Sequence, residues 1–433
     1  MRIFLLKSWN ALSDNNTDLF ANSFRSVPRT GVIYVMAEAR QAGFKYGHPD
    51  WCNLGQGAPE TGMLPGSWPR IESIQLNDQT HEYSPVAGLW ELREAVANLY
   101  NERYRQGLSS QYTAENVAIS SGGRAGLTRI VAALGSVHLG HVLPDYTAYE
   151  ELLDIFRAFV PIPIVLSKDH GFRLSPQRLR SEIVGKGLGA VLLSNPCNPT
   201  GTAIAGDDLA ACVKTASKLS CALILDEFYS HYNYSDQSGS GLSAAAHVAD
   251  VDKDPVLLVD GLTKNWRYPG WRLSWTVGPK SIIERIASAG SFLDGGPPHP
   301  LQKAAVDLLS MEAADTEAKC IQQVFGHKRK RVIERLREIG LKLENEPAGA
   351  FYCFVSLADL PPSLQDGMAF FRACLEEKVI VVPGAFFDVN PGKRRSHIPS
   401  RLRGYVRISY GPDLEQLETG LNRIEKIVQA AQQ

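Results

Sequence analysis

The stretch D-G-L-T-K-N-W-R-Y-P-G-W-R, Asp260–Arg272, is the most informative part of this 433-residue chain. It follows the apolar run Val256–Val259, which is typical of a strand buried on both faces. Burial can lower the pKa of a lysine just past such a strand, here Lys264, and a neutral amine suits Schiff-base chemistry. Arg272 adds a planar fork of donors that matches a phosphate. Taken alone, the segment is more typical of a surface lysine after a strand than of a Schiff-base lysine. The choice between these two interpretations depends on the rest of the sequence.

Three further clusters follow predicted strands, and ligands of open α/β sheets bind beside the carboxyl ends of strands. The glycines of Ser120–Leu127 free backbone N–H groups at the start of a helix, which favours a phosphate. The two Asn-Pro steps of Ser194–Gly201 make a rigid turn that can aim an asparagine at an anionic oxygen. In Leu225–Tyr229, Asp226 ends an apolar strand and needs a partner to offset its desolvation. Each cluster alone also fits a tight turn or a helix cap.

The order of the predicted elements indicates an α/β fold. Short apolar runs bounded by turn residues begin near residue 116, and helical stretches separate many of them, which suggests a parallel sheet. The predicted strands are Val117–Ile119, Ala190–Leu193, Ala222–Leu225, Val256–Val259 and Leu273–Val277. The helices predicted from apolar spacing are Ile33–Ala42, Leu89–Tyr104 and Asp207–Leu219. From residue 341 the pattern is α+β, with strands at Phe351–Val355, Val379–Val382 and Tyr405–Ser409 and helices at Gly367–Glu377 and Leu414–Ala430.

The length of the chain predicts two or three domains. We expect a large α/β domain over residues 61–302. A small α+β domain should combine the N-terminal segment, residues 1–60, with a linking helix and C-terminal part, residues 303–433.

Charge and composition argue against several classes of function. Lys plus Arg totals 45 and Asp plus Glu totals 46, so no chain-wide field attracts nucleic acid or a membrane surface. No apolar run approaches the roughly 20 residues of a membrane span, and the start lacks a signal-peptide pattern. Seven scattered cysteines without a C-x-x-C pair argue against a disulfide framework or a zinc site and predict a cytoplasmic protein with reduced thiols. The basic run 327–331 and the basic loop 384–400 fit solvated surfaces better than an anion-binding site.

In this order and spacing, the four clusters resemble the class I/II aminotransferases, the fold-type I enzymes that use pyridoxal 5′-phosphate (PLP). The motifs are N-P-x-N-P-T-G at Asn195–Gly201, D-E-x-Y at Asp226–Tyr229 and K-x-x-x-x-x-G-W-R at Lys264–Arg272. The resemblance extends from about Thr30 to the C-terminus. It implies a large domain with a mostly parallel seven-stranded sheet flanked by helices, a small domain from both chain termini, and a homodimer with shared active sites.

The resemblance also implies roles for single residues. Lys264 forms a Schiff base with PLP and later moves a proton, while Asp226 pairs with the pyridine nitrogen. The other implied cofactor contacts are Gly122, Gly123, Arg124, Arg272 and Thr263 at the phosphate, Asn198 and Tyr229 at the phenolate oxygen, Tyr146 stacked on the ring, and Tyr83 at the phosphate of the neighbouring subunit. The implied contacts of the substrate carboxylate are Arg407, Gly57 and Asn198.

The reaction implied by the resemblance is transfer of an amino group between an L-amino acid and a 2-oxo acid. A PLP-dependent lyase, cyclase or oxidase on the same fold is an alternative, and a non-catalytic ligand-sensing module is a second one. Segment 20–29 and loop 384–400 are expected to help shape the pocket for the substrate side chain.

Two departures from the family pattern bear on phosphate binding and specificity. Many relatives have serine three residues before the lysine, where this chain has Gly261, and Thr263 can substitute. Relatives that act on dicarboxylates bring an arginine before a Pro-Pro turn, but the matching stretch Ser291–Pro298 has none. This predicts a neutral, aromatic or basic amino acid rather than aspartate. Asp294 could attract a cationic side chain, although Asp before Gly-Gly is also ordinary turn chemistry.

Overall fold

A computed structural model describes residues 27, 29, 31–235 and 239–433, so most of segment 20–29 lies outside the described residues. The described residues form twelve α-helices: α1 (Gly31–Gln41), α2 (Asp78–His81), α3 (Trp90–Tyr104), α4 (Gly123–Ala133), α5 (Tyr149–Ile155), α6 (Pro176–Lys186), α7 (Gly206–Lys218), α8 (Lys280–Leu293), α9 (His299–Ala305), α10 (Met311–Ile339), α11 (Gly367–Glu376) and α12 (Leu414–Ala431). None of these helices combines the length and the apolar surface needed to cross a bilayer.

The described residues also form thirteen strands: β1 (Cys52–Asn53), β2 (Val117–Ser120), β3 (His138–Leu143), β4 (Val160–Val165), β5 (Leu188–Ser194), β6 (Ala222–Asp226), β7 (Val256–Gly261), β8 (Ser274–Val277), β9 (Lys342–Leu343), β10 (Tyr352–Ser356), β11 (Val379–Ile380), β12 (Val382–Pro383) and β13 (Tyr405–Ser409). Seven of them make a central sheet in the order β2-β8-β7-β6-β5-β3-β4. Neighbours pair in parallel except β8, which runs antiparallel to both β2 and β7.

The central sheet is buried on both faces. Along β5, Ala190 and Leu192 belong to one apolar cluster, while Val191 and Leu193 belong to the other. Successive side chains of a strand point to opposite faces, so each face of the sheet has a core of its own. This explains why the strands appear in the sequence as continuous apolar runs, and it confirms the predicted α/β fold class.

The sequence predicted five of the seven central strands and missed β3 and β4. Strand β4 reads V-P-I-P-I-V, and prolines lack the N–H that a central strand needs. The sheet tolerates Pro161 and Pro163 because β4 is an edge strand, paired with β3 alone. Strand β3 contains two histidines and a glycine, which weaken its apolar pattern.

A second, antiparallel sheet lies in the C-terminal part, in the order β12-β13-β10-β9. Strand β13 has the predicted bounds, and β10 begins one residue later than predicted. The predicted strand Val379–Val382 is divided into β11 and β12. Strand β1 pairs in parallel with β11, so the N-terminal and C-terminal parts of the chain share a small sheet. The domain bounds stay a prediction, and this pairing supports a small domain built from both termini.

The basic run 327–331 on α10 is only partly the solvated helix face that the sequence indicated, since two of its five residues are exposed and the others are not. Lys328 is buried, and its ammonium donates to the Glu60 carboxylate at 2.6 Å. Arg331 forms an ion pair with Glu418 of α12. The run therefore fixes α10 to neighbouring segments. No local pattern could predict these pairs, because both acids lie far from the run along the chain.

Loop 384–400 lies at the surface, but ion pairs fix it in place. Lys393 forms an ion pair with Glu150 of α5. Within the loop, the Arg395 guanidinium donates to the Asp388 carboxylate at 2.8 Å. These cations are therefore paired with carboxylates of the protein rather than displayed for an external anion.

Candidate active site

Most of the predicted site residues lie at one edge of the central sheet. Strands β5, β6 and β7 run parallel, so their carboxyl ends lie side by side. Asp226 is the last residue of β6, Asn198 follows β5 by four residues, and Lys264 follows β7 by three. Arg407 comes from β13 of the second sheet, and its guanidinium donates to Asn198 Oδ1 at 2.7 Å. The site therefore joins residues from both sheets.

The Lys264 side chain is enclosed among cations. Its Nζ donates a hydrogen bond to the Gly57 carbonyl oxygen. Burial, together with the positive charges of Arg407, Arg272 and Arg124, lowers the pKa of Lys264 to about 7. Near neutral pH a large share of this amine is therefore unprotonated, which is the form that reacts with an aldehyde.

Asp226 is a buried carboxylate that interacts with Lys264. Burial raises the pKa of Asp226 to about 6, although the Tyr149 hydroxyl donates to its Oδ2 at 2.8 Å and Lys264 attracts its charge. A carboxylate in this state is stabilised further by a cation that binds beside it. The geometry therefore provides a counter-charge for a protonated ring nitrogen.

A positive cradle lies at the N-terminus of α4. Gly122, the N-cap residue, has φ 92°, and a Cβ there would overlap the Arg272 guanidinium. Gly123 packs as closely against the Phe228 ring. The exposed N–H groups and the dipole of the helix therefore face the same space as a guanidinium, and together they favour an anion such as a phosphate. The Thr263 hydroxyl oxygen is buried and has no hydrogen-bond partner among the described residues, so it can serve as a further donor.

The Arg407 guanidinium is buried, and no acid of the described residues forms an ion pair with it. Its Nη1 donates to Asn198 Oδ1, its Nη2 donates to the Gly55 carbonyl at 2.5 Å, and both acceptors are neutral. Its Nε is buried without a partner among the described residues. A buried guanidinium is unfavourable without a negative partner, so this arrangement favours a bound carboxylate.

Two tyrosines complete the predicted set. The Tyr229 hydroxyl lies 2.7 Å from the Tyr352 hydroxyl, and both side chains are buried. The Tyr146 hydroxyl accepts hydrogen bonds from Arg124 Nε at 3.1 Å and Nη2 at 2.9 Å. The Arg124 side chain thus bonds to the tyrosine predicted to stack on the ring, while its backbone lies in the first turn of α4.

The sequence model of one family, described as aminotransferase class I and II, matches residues 49–424. The chain belongs to the class I and II aminotransferases. Similar proteins include the aspartate aminotransferase of Streptomyces avermitilis, 28% identical over 366 residues that cover 82% of this chain and 83% of that protein. The aspartate/prephenate aminotransferase of Thermus thermophilus is 28% identical over 351 residues, covering 80% and 83% of the two chains.

Solved aminotransferase structures have the same fold. The aspartate aminotransferase from Thermus thermophilus with maleate superposes with a TM-score of 0.74 at 25% identity, covering 93% of this chain and 100% of that one. The aromatic aminotransferase from Pyrococcus horikoshii superposes with a TM-score of 0.72 at 24% identity, covering 92% and 99%. These matches confirm the fold-type I architecture that the motifs implied.

Class I and II aminotransferases depend on PLP, and the site of this aminotransferase fits the groups of that cofactor. The aldehyde needs an unprotonated amine, which the lowered pKa of Lys264 supplies. The phosphate needs several donors, and Arg272, the N-terminus of α4 and the unpaired Thr263 hydroxyl provide them. The ring nitrogen needs an acid, and Asp226 is a buried acid at the same edge of the sheet.

The lowered pKa of Lys264 predicts how fast the apoenzyme of this aminotransferase takes up PLP as pH changes. The rate of covalent loading should rise with pH through about 7 and then level off, because only the neutral amine reacts. An ordinary lysine would keep gaining rate up to about pH 10. The absorbance change on mixing apoenzyme with PLP, followed from pH 5.5 to 9.5, measures this. A rate that still climbs steeply above pH 9 would contradict the assignment.

The same shift has a consequence for the stability of the apoenzyme. The folded state loses the Lys264 proton near pH 7, whereas the unfolded chain holds it up to the ordinary value of 10.5. The unfolded state therefore binds more protons between these values, so the contribution of this group to stability increases as pH rises through that window.

One predicted residue of the aminotransferase, Tyr83, lies at the surface. Tyr83 is 95% exposed in the single chain, so its predicted contact with a neighbouring subunit stays a prediction.

The structure argues against the hypothesis that Asp294 attracts a cationic substrate side chain, because this carboxylate is already paired within the chain. Both its oxygens bind the buried Arg129 guanidinium, at 2.5 and 3.0 Å, and Oδ1 also accepts the Gly296 N–H. Asp294 thus fixes the turn after α8, which is the ordinary turn chemistry that the sequence also allowed.

Sequence reasoning missed two tyrosines of this aminotransferase site. Tyr149 is the first residue of α5, and its ring lies 5.5 Å from the ring of Tyr146, which precedes the helix. Their proximity depends on the turn between them, so no helical spacing marked Tyr149 in the sequence. Tyr352 lies two residues before Phe354, the cross-strand partner of Arg407. Tyr352 and Phe354 share one face of β10, so Tyr352 is the diagonal neighbour of Arg407. That signal requires the strand register, which the sequence does not reveal.

Proposed function

We propose that this chain transfers amino groups between an L-amino acid and a 2-oxo acid, with PLP held by Lys264. The observation that carries the proposal is an amine of pKa about 7 among three arginines and one buried carboxylate. The relatives are named aminotransferases, which favours transamination over a lyase, cyclase, oxidase or ligand-sensing role.

Lys264 serves as both anchor and proton carrier in this proposal. When bound, PLP supplies an electron sink that accepts the electrons of the substrate Cα–H bond. With cofactor and substrate bound, the Nζ of Lys264 would accept a proton near neutral pH, because its pKa is about 7. Asp226 would favour a protonated ring nitrogen through its negative charge.

Arg407 and Asn198 orient the substrate in this proposal. The guanidinium would grip the α-carboxylate, and this fixes the direction of the Cα–H bond relative to Lys264. Asn198 Oδ1 already accepts from Arg407, so its amide N–H groups are left to donate. This division of the amide supports the predicted contact of Asn198 with the cofactor's phenolic oxygen.

The proposal is tested by adding an amino donor alone to the PLP-loaded protein. We expect the visible absorbance of bound PLP to decrease as pyridoxamine phosphate and one equivalent of 2-oxo acid form. Addition of a 2-oxo acid should restore the original spectrum. A lyase would release ammonia while keeping the PLP spectrum, and an oxidase would consume oxygen. A ligand-sensing module would bind the amine without releasing a product.

We further propose that the preferred donor is a neutral or aromatic amino acid rather than aspartate. The stretch Ser291–Pro298 carries no cation, and its acid, Asp294, is already bound to Arg129. The names of several relatives point the other way, toward aspartate. A second carboxylate in the pocket needs a cation to offset its desolvation.

A panel of amino donors decides the specificity. We expect kcat/KM for aromatic or neutral amino acids to exceed that for aspartate by at least about tenfold, the effect of roughly one unmade charged hydrogen bond. A preference for aspartate would contradict this. Arg124, a cation whose side chain bonds the neutral Tyr146 hydroxyl, would then be the residue to replace with methionine.

We also propose a homodimer. Tyr83 is almost fully exposed in the single chain. Its backbone position is fixed next to the turn before α9, because the hydroxyl of the adjacent Ser84 donates to the Pro297 carbonyl at 2.7 Å. A second copy would cover this aromatic surface. Sedimentation of the wild-type protein measures the state directly, and a monomer with full activity would contradict the proposal.

A further inference from the structure

Tyr352 occupies the centre of the candidate active site, although none of the sequence motifs includes it. Its side chain is fully buried on β10. Its hydroxyl lies 2.7 Å from the Tyr229 hydroxyl, and its ring lies under the Arg407 guanidinium at 4.3 Å. A Cβ built on Gly57 would lie 2.5 Å from the same hydroxyl. Tyr352 thus touches the predicted phenolate-binding tyrosine, the carboxylate-binding arginine and the backbone that binds Lys264.

The direction of the Tyr229–Tyr352 hydrogen bond follows from proton counting. A tyrosine hydroxyl has one proton to donate and can also accept. If Tyr229 donates to the phenolic oxygen of PLP, its proton is used there. The Tyr352 hydroxyl must then donate to the Tyr229 oxygen, which makes Tyr229 a stronger donor through polarisation of the chain of hydrogen bonds.

The ring of Tyr352 acts on the other half of the site. The Arg407 guanidinium lies over the face of the Tyr352 ring, within the range of a cation–π interaction. This contact holds the plane of the guanidinium while Asn198 and the Gly55 carbonyl bind its Nη1 and Nη2. The ring therefore stabilises the position from which Arg407 would grip a carboxylate.

We propose that Tyr352 is a positioning residue with two separable roles: its hydroxyl strengthens the hydrogen bond from Tyr229 to the cofactor, and its ring orients Arg407 for the substrate. This inference rests on the proposed function, since it needs PLP held on Lys264. It assigns a role to a residue outside the lysine, aspartate and arginine motifs.

Tyr352→Phe removes the hydroxyl and keeps the ring. In the PLP-loaded protein, the midpoint at which the visible absorbance titrates should rise by roughly 0.3–1 pH unit, the size of one weakened neutral hydrogen bond. It should rise because a weaker Tyr229 donor stabilises the deprotonated chromophore less. KM for the amino donor should stay within about twofold of wild type, since Arg407 keeps its ring.

Tyr352→Leu removes the ring as well and should raise KM by about tenfold, the size of one lost cation–π contact in a desolvated site. Tyr410→Phe is the matched control. Tyr410 is also fully buried, and its hydroxyl donates to the Ala350 carbonyl at 3.2 Å, outside the site. This control should leave both the titration midpoint and KM unchanged.

The double variant Tyr229→Phe/Tyr352→Phe tests whether Tyr352 acts through Tyr229. The midpoint should equal that of Tyr229→Phe alone, because the second hydroxyl has lost its target. A further, additive shift would overturn the proposed route. A Tyr352→Phe midpoint equal to wild type would overturn the inference while the proposed function stands. A wild-type protein without any PLP absorbance would instead overturn the proposed function itself.

Discussion

Lys264→Ala should lower kcat by roughly 10⁴-fold or more, the upper range for removal of a positioned general base. The side chain serves twice, because the same amine would anchor PLP and carry the Cα proton. Lys264 is suited to both tasks by its pKa of about 7, which leaves a neutral amine in the physiological range. Steady-state transamination with the best donor of the panel measures the loss.

Covalent mapping separates loss of chemistry from loss of folding. Borohydride reduction of the PLP-loaded wild type, followed by digestion, should yield a pyridoxyl adduct on the peptide that spans residues 260–267. The Lys264→Ala protein should yield no adduct there. Lys303→Ala is the matched control, since Lys303 lies on the exposed side of α9 in an ion pair with Glu91. An adduct on another lysine, or a Lys264→Ala variant within tenfold of wild type, would contradict the assignment.

The strands that could be predicted are those whose burial shows in a short stretch of sequence. Strands β5, β6 and β7 each contain a run of four apolar residues, since helices and side chains cover both faces of the sheet. Strand β4 was not predicted because an edge position, which makes its two prolines harmless, is a property of the whole sheet.

The residues of the candidate site also differ in how far a local sequence pattern predicts them. Lys264, Asp226 and Asn198 each follow a predicted strand, so parallel pairing alone brings them to one edge. Tyr352 depends on the register of β10 against β13, and no local pattern carries that information. The ion pair between Asp294 and Arg129 forms because α8 and α4 pack against each other. The sequence does not show that contact, so Asp294 could be taken for an acid without a partner.

Asp226→Asn should reduce kcat by roughly 10²–10³-fold, the loss typical of removing one preorganised electrostatic group. An amide has no charge to keep a proton on the ring nitrogen. The substitution preserves shape, and the side-chain oxygen can still accept from the Tyr149 hydroxyl. PLP should still load covalently, since Lys264 is intact, and the adduct on the 260–267 peptide should persist.

The same substitution should make the apoenzyme more stable, in contrast to its effect on catalysis. Burial raises the pKa of Asp226 from 3.8 to about 6, so the folded state binds a proton more tightly than the unfolded chain does. The contribution of this carboxyl to stability therefore falls as pH rises from about 4 to about 6 and stays unfavourable above that, by about 3 kcal/mol. Asparagine avoids this penalty at every pH.

Urea unfolding of the two apoenzymes at pH 5 and pH 8 measures the effect. Asp226→Asn should be the more stable protein at pH 8, and its advantage should shrink at pH 5, where wild-type Asp226 is mostly protonated. Bound PLP should reduce or reverse the gap, because a cationic ring nitrogen gives the wild-type carboxylate the partner that it lacks. An apoenzyme variant less stable than wild type at pH 8 would mean that Tyr149 and Lys264 already compensate the buried charge. In that case the ionised carboxylate would already have enough partners within the protein. The argument that it needs a cationic ring nitrogen as a partner would then fail.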